Sequence, residues 1–131
     1  MKSKNEIATE IHHAAMHHLN IGGQVYKQTR PTGSTAEDCV ITVMAEGVGK
    51  HLQNGRLFVK IFYKDIFAGN TYYENMVRGQ QLELQLFDFC QVLLQMSIVQ
   101  FRIQTRRIRT VPMPPDTTQE HYALLTIDYQ Y

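Results

Sequence analysis

A long helix with two apolar faces is the most prominent feature of the hydrophobic pattern. The stretch from Thr71 to Met96 contains no proline, and Thr71 followed by Glu74 fits an N-terminal capping box. At roughly 100° per residue, its apolar side chains form two stripes. The broader stripe consists of Tyr73, Met76, Val77, Leu84, Phe87, Cys90 and Leu94. The narrower stripe consists of Leu82, Leu86, Phe89 and Leu93. We assign the broader stripe to the protein's own core. We predict that a second copy of the protein covers the narrower one, as an oligomer interface.

The remaining apolar residues predict one more helix and five strands. The helix begins at Ser3 or Asn5 and runs to about Leu19, and its core stripe consists of Ile7, Ile11, Ala14, Ala15 and Leu19. The strands cover 24–30, 38–46, 56–64, 98–111 and 120–131. Strand 38–46 is apolar on both sides, which predicts a central position, whereas only the odd-numbered side of 56–64 is expected to face the core. The order α-β-β-β-α-β-β, with hairpin-type connections, predicts an α+β fold in which two helices pack on a largely antiparallel sheet.

Two glycine-containing segments between strands 38–46 and 56–64 support this order. Asn54-Gly55 predicts a type I′ hairpin turn before strand 56–64, because both residues accept a positive φ. Gly47 and Gly49 allow a bulge or a bend at the end of the preceding strand.

Composition and charge narrow the class of protein. At 131 residues with 44% apolar and 19% charged residues, the chain is expected to form one globular domain over 1–131. A net charge of +1 gives no general attraction to nucleic acid or membranes. No apolar run is long enough for a signal peptide or a membrane span, so we expect a cytoplasmic protein without a membrane partner. Cys39 and Cys90 lie in apolar runs and are expected to be buried thiols, with a disulfide as the alternative.

Four histidines in the first helix are the clearest candidates for metal binding. His13 and His17 are spaced i, i+4, which suits a metal, but two ligands are too few and no third is implied. We therefore expect His13 and His17 to be solvated, with no metal site. His18 falls on the apolar stripe, and we expect it to be a hydrogen-bonded core histidine.

The motifs of catalysis are missing from the sequence. Gly47-Val48-Gly49-Lys50 lacks the spacing of a phosphate-binding loop, and its glycines join two strands. Neither cysteine has a histidine close to it in sequence, and there is no G-x-S-x-G motif. We expect no catalytic residue, no cofactor and no enzymatic activity.

The strand 98–111 contains a run of four arginines. Alternation places Arg102 and Arg106 on one side and Arg107 and Arg109 on the other, so we predict that this end projects beyond the sheet as an arm. Three roles remain open for it. The arginines can contact nucleic-acid phosphates, form an electropositive surface or salt bridges between subunits, or protect a solvated sheet edge from strand addition. We favour the second role, and binding to nucleic acid is the less favoured one.

The order of elements also resembles a known family. The segments that match are Gln24-Val25-Tyr26-Lys27, the turn Pro31-Thr32-Gly33, the strand Asp38-Cys39-Val40-Ile41, and the strand Gly55-Arg56-Leu57-Phe58-Val59-Lys60-Ile61. With the long helix and two final strands, they are similar to small tail-completion and tail-terminator proteins of tailed bacteriophages and prophages. Head–tail joining proteins share that α+β fold.

This resemblance implies a non-enzymatic structural role in virion assembly. Such proteins form homo-oligomeric rings, often hexamers, which cap the tail tube or join the tail to the head. The partners it implies are other copies of the chain and tail-tube or head-connector proteins, in the host cytoplasm and then in the virion of a functional phage. The second apolar stripe agrees with it, since identical subunits in head-to-tail contact can close into rings. The alternative function is a nucleic-acid-binding module that uses Arg102 to Arg109.

Overall fold

Two helices and seven strands make up the protein in a computed structural model, which describes residues 4–31, 33–34, 36–48, 53–95, 102–112 and 120–130. In chain order these elements are α1 (Lys4–His18), β1 (Val25–Lys27), β2 (Cys39–Val48), β3 (Gln53–Lys64), β4 (Ile66–Ala68), β5 (Thr71–Tyr73), α2 (Met76–Gln95), β6 (Arg102–Pro112) and β7 (Glu120–Gln130). The predicted α+β class is confirmed, and the short strands β4 and β5 are additional to the predicted order.

Five of the strands form one sheet in the order β1-β2-β3-β7-β6. The strand β1 runs parallel to β2, and every other pair is antiparallel. The inner position predicted for the second strand is confirmed, since β2 lies between β1 and β3. The strand β3 occupies the centre of the sheet because it pairs with β2 on one side and with β7 on the other.

Alternation in the inner strands creates one buried side of the sheet. Ile41, Val59 and Leu125 lie opposite one another across β2, β3 and β7, and none of them has any exposed surface. Both helices cover this side, α1 over β1 and β2, and α2 over β3, β7 and β6. The odd-numbered side of β3 therefore faces the core, as its sequence predicts.

The long helix begins five residues later than predicted. Thr71 is not its N-cap, because Thr71 pairs with Ala68 in a hairpin of β4 and β5. Gly69 and Asn70 form the turn of this hairpin, and their φ angles of 58° and 63° are those a type I′ turn requires. The N-cap is Asn75, whose side-chain oxygen accepts a hydrogen bond of 3.2 Å from the backbone N–H of Arg78.

The hairpin turn predicted at Asn54-Gly55 is wrong. Both residues lie inside β3, where they pair with Gly47 and Ala45 of β2 and with two residues of β7 on the other side. The bulge predicted at Gly47 is confirmed as a shift of register between Ala45 and Gly47. Two partner strands fix the backbone of Asn54 and Gly55, and these contacts outweigh the local preference for a turn.

The arginine-rich strand is not an arm beyond the sheet. Along its whole length β6 pairs with β7, and it forms the edge of the sheet. A second shift of register, between Ile103 and Thr105, interrupts the simple alternation predicted for Arg102 and Arg106. The side chains of Arg102, Arg106, Arg107 and Arg109 lie outside the described part of the chain, so the basic surface stays a prediction.

Candidate interaction surface

The four residues predicted as an oligomer interface lie in the protein's own core. Leu82, Leu86, Phe89 and Leu93, which we call the inner stripe, are at most 1% exposed. They pack with Cys90 of α2, with α1 and with the buried side of the sheet. The interface prediction is therefore wrong for these residues, because the chain's own strands already cover them.

The opposite side of α2 is the one that faces outward. Met76, Val77, Leu84 and Phe87, which we call the outer stripe, are 72%, 69%, 60% and 47% exposed. These are residues that the sequence assigned to the core. The sequence thus predicts two apolar faces on this helix correctly but assigns these four residues to the wrong one, whereas Cys90 of the same predicted stripe is buried as expected.

Polar contacts at one flank of α2 fix its rotation. The guanidinium of Arg78 makes two hydrogen bonds with the carboxylate of Glu37, one of them 2.9 Å long. These bonds raise the pKa of Arg78 above its ordinary value, because they stabilise its charged form. Two turns further along α2, the side chain of Gln85 accepts a bond of 2.9 Å from the N–H of Asn20 and donates one of 3.0 Å to its carbonyl. The loop between α1 and β1 is thereby tied to α2.

A glycine on the inner side of α2 allows close packing against the sheet. A Cβ atom at Gly79 would come within 2.5 Å of the hydroxyl oxygen of Tyr63, which is buried. Only glycine leaves room for the tyrosine ring at this point. The position of Gly79, in line with Leu82 and Leu86, is the sequence signal that could have identified the inner side of the helix.

The hairpin of β4 and β5 is exposed on both of its faces. Its strands have three residues each, and all six residues are exposed. Cross-strand pairing puts Ile66 with Tyr73 on one face and Phe67 with Tyr72 on the other, with the last two rings 4.9 Å apart. Among the described residues, no other helix or strand packs against this hairpin. Its apolar side chains are therefore not part of the core.

Two side-chain pairs anchor the base of the hairpin to the sheet. Before β4, a carboxylate oxygen of Asp65 lies 2.6 Å from Nδ1 of His121 in β7. After β5, the hydroxyl of Tyr63 in β3 donates a hydrogen bond of 3.0 Å to Glu74. Both ends of the hairpin are thus held, while the segment between them projects.

A cleft lies beside the outer stripe at the start of α2. It has a volume of about 370 Å³, and the residues that line it are Glu74, Met76, Val77, Gly79, Gln80 and Glu83. We call this the α2 cleft. Its lining combines apolar side chains with two carboxylates and contains no cation. Such a cleft suits an apolar or aromatic side chain with hydrogen-bond donors at its edge.

A buried charge network holds the segment between β1 and β2. Arg30 donates hydrogen bonds to Asp38 (3.1 Å), to Glu120 (2.9 Å) and to the Ala36 carbonyl (2.8 Å). Its guanidinium also lies 4.3 Å from the centre of the Phe62 ring. Arg30 thus joins the segment between β1 and β2 to β7 through two ion pairs.

Asp38 makes this network sensitive to acid. Burial by itself would raise the pKa of Asp38, but hydrogen bonds from Ser34, from the Gln24 N–H and from Arg30 lower it below its ordinary value. A carboxyl group with a lowered pKa in the folded protein stabilises the fold above its unfolded pKa. That contribution is lost as the pH falls through the folded pKa.

Three of the four histidines of α1 are exposed, and both cysteines are buried. His13 and His17 are exposed as expected, with ring centres 4.6 Å apart. His18 is also exposed, so its prediction as a core histidine is wrong. The Nε2 atom of His12 lies 2.8 Å from the Val25 carbonyl.

Both cysteines are buried thiols, and burial raises the pKa of Cys39 to about 12. In the described ranges, no three acidic, histidine or cysteine side chains are grouped as metal ligands.

The surface features described above are the basis for inferring a function, because the sequence comparisons with known proteins found no match. No protein-family model matches the chain, and no curated protein sequence matches it. Neither described helix combines the length and the apolar character needed to cross a membrane.

Proposed function

We propose that this protein is a non-enzymatic structural protein of phage or prophage tail assembly. In this proposal it forms a homo-oligomeric ring at the end of the tail or at the head–tail junction. It is made in the host cytoplasm and enters the virion if the phage is functional. The observation on which this depends is the exposed apolar surface of the outer stripe and the β4–β5 hairpin. The resemblance of the strand and turn pattern to tail-completion proteins supports the class.

The area of this surface favours self-association. Its eight large residues are Ile66, Phe67, Tyr72, Tyr73, Met76, Val77, Leu84 and Phe87. Aromatic side chains present roughly 150–250 Å² when fully exposed, so the four partly exposed rings amount to about 400 Å². The four exposed aliphatic side chains add to this area. One partner of a stable interface contributes about 800 Å², so the hairpin and the outer stripe together present an area of that order.

The mass of the protein in solution tests this proposal. Light scattering over a range from low to high micromolar concentration should show a discrete oligomer that dissociates on dilution. Leu84→Glu should prevent its formation, whereas Met16→Glu should not, although Leu84 and Met16 are both 60% exposed. A wild-type protein that remains a monomer at high micromolar concentration would contradict the proposal.

The position of the protein in a virion tests the tail assignment separately. Immunogold labelling of tail particles from the source strain should mark one end of the tail tube, and the gene should lie beside capsid, portal or tape-measure genes. A salt-dependent shift of labelled DNA, lost when Arg106, Arg107 and Arg109 are replaced, would instead favour the nucleic-acid-binding alternative.

A further inference from the structure

We propose that the β4–β5 hairpin of one copy inserts into the α2 cleft of the next copy. This inference rests on the proposed self-association and specifies its geometry. The contact is asymmetric, because one copy contributes the hairpin and the other contributes the cleft. Repeated in one direction, such a contact closes into a ring or continues as a filament.

Within the described part of the chain, no helix or strand packs against the hairpin. A two-stranded hairpin is only marginally stable in water without packing. This hairpin has apolar side chains on both faces. Ile66 and Tyr73 lie on one face, and Phe67 and Tyr72 lie on the other. A hairpin that only covered a flat surface would need apolar residues on one face. Apolar residues on both faces suit a segment that enters a cleft.

The partner cannot be the hairpin's own α2 cleft. Only Glu74 and Asn75 separate the hairpin from the start of α2, yet neither of its strands lies against α2. The pairs Asp65–His121 and Tyr63–Glu74 hold its base on β3 and β7. Because the same chain keeps its hairpin and its cleft apart, the cleft that receives the hairpin belongs to another copy.

The polar groups of the two elements are complementary. The hairpin from Ile66 to Tyr73 contains no charged residue, and its two tyrosines bring hydroxyl donors. An exposed lysine, Lys64, precedes it. The lining of the α2 cleft includes the carboxylates of Glu83 and of Glu74, which also accepts the hydrogen bond from Tyr63, around Met76 and Val77. Carboxylates accept more than one hydrogen bond and match both kinds of donor. Insertion would place aromatic rings on apolar side chains and donors beside carboxylates.

Mixing two defective variants tests the asymmetry directly. One variant, Phe67→Ser with Tyr72→Ser, loses the aromatic face of the hairpin and keeps the cleft. The other, Met76→Glu with Val77→Glu, loses the cleft and keeps the hairpin. All four residues are exposed, so each variant should fold, and circular dichroism checks this. Met16→Glu, on α1, is the matched control for an added glutamate at an exposed methionine.

The proposal predicts a specific pattern of masses by light scattering. Each variant alone should associate more than about tenfold more weakly than the wild type. An equimolar mixture should form a dimer of one copy of each and nothing larger, because only one intact hairpin–cleft pair remains. The control should form the wild-type oligomer.

Other outcomes separate the failure of this inference from that of the proposed function. A hairpin variant that assembles like the wild type, or a mixture that forms no dimer, would overturn the insertion while self-association stands. A wild-type monomer would overturn both. As a second measurement, Phe67→Cys copies mixed with Val77→Cys copies should form a disulfide-linked dimer under a mild oxidant, and neither should do so alone. The two native cysteines are buried and should not interfere.

Discussion

The two apolar sides of helix α2 have nearly the same composition and opposite surroundings. The inner stripe of Leu82, Leu86, Phe89 and Leu93 lies against the sheet, and the outer stripe of Met76, Val77, Leu84 and Phe87 faces outward. Burial of either stripe would remove a similar apolar area from water, so hydrophobicity alone does not select one. The difference teaches that a helix's rotation is decided by its neighbours, here the polar contacts of Arg78 and Gln85 and the space at Gly79.

Truncating one leucine on each side of α2 should give the largest contrast. Leu86→Ala should lower the free energy of unfolding by about 2–5 kcal/mol, because it leaves a cavity in the core. Leu84→Ala should change it by less than about 0.5 kcal/mol, because the side chain is exposed. Urea denaturation of dilute protein, where association does not contribute, measures both. Equal losses would show that α2 is not rotated as described.

An alanine at Gly79 should destabilise the protein, against the usual preference of helices. In an exposed helix the change would gain about 1 kcal/mol. Here the new methyl group meets the hydroxyl of Tyr63, and overpacking of this kind costs about 1–3 kcal/mol. We expect a net loss of about 1 kcal/mol in the free energy of unfolding, measured by thermal denaturation.

The control for Gly79→Ala is the same change in a Tyr63→Phe background. Removing the hydroxyl oxygen removes the closest contact, so the added methyl group should then cost less or become stabilising. If Gly79→Ala stabilises the wild-type protein, the inner side of the helix is not packed as closely as described.

Replacing Arg78 should produce the smallest of the three effects. Arg78→Met removes two hydrogen bonds with Glu37 and should cost about 0.5 kcal/mol, since the pair is partly exposed. Arg56→Met removes the more exposed pair with Asp128 on β3 and should cost less, about half as much. Urea denaturation compares the two variants. An Arg78→Met protein as stable as the wild type would mean that packing alone fixes the rotation of α2.

The sequence predicted the sheet better than the connections between its strands. Strict alternation in 56–64 placed Leu57, Val59 and Ile61 on the buried side, where the structure has them. The turns were harder to predict, because Asn54-Gly55 and Gly69-Asn70 have equivalent local preferences. Pairing on both sides of Asn54 and Gly55 keeps them in a strand, and such pairing depends on distant residues of β7 that a local pattern does not contain.

The sequence predicted surplus apolar area on α2, but it assigned that area to the wrong side of the helix. A helix with surplus apolar area was expected from periodicity, and the structure has one. The choice between its two sides depends on contacts between α2 and residues such as Asn20 and Glu37, which are far from it in sequence. The hairpin was missed because the stretch Thr71 to Glu74 also fits a helix start, and a strand of three residues has too short an alternation to be recognised.

The inner position of β7 determines when the native fold becomes possible during synthesis. This strand follows β6 in the sequence but lies between β6 and β3 in the sheet. A nascent polypeptide that ends at Pro112 contains both helices and most of the sheet, yet it lacks the strand that joins β6 to the rest. Residues 54–64 of β3 pair with residues of β7 that lie 56 to 76 positions further along the chain, so these pairs cannot form until β7 has been made. Folding therefore finishes only after the ribosome has made β7, and pairings over such sequence distances form slowly.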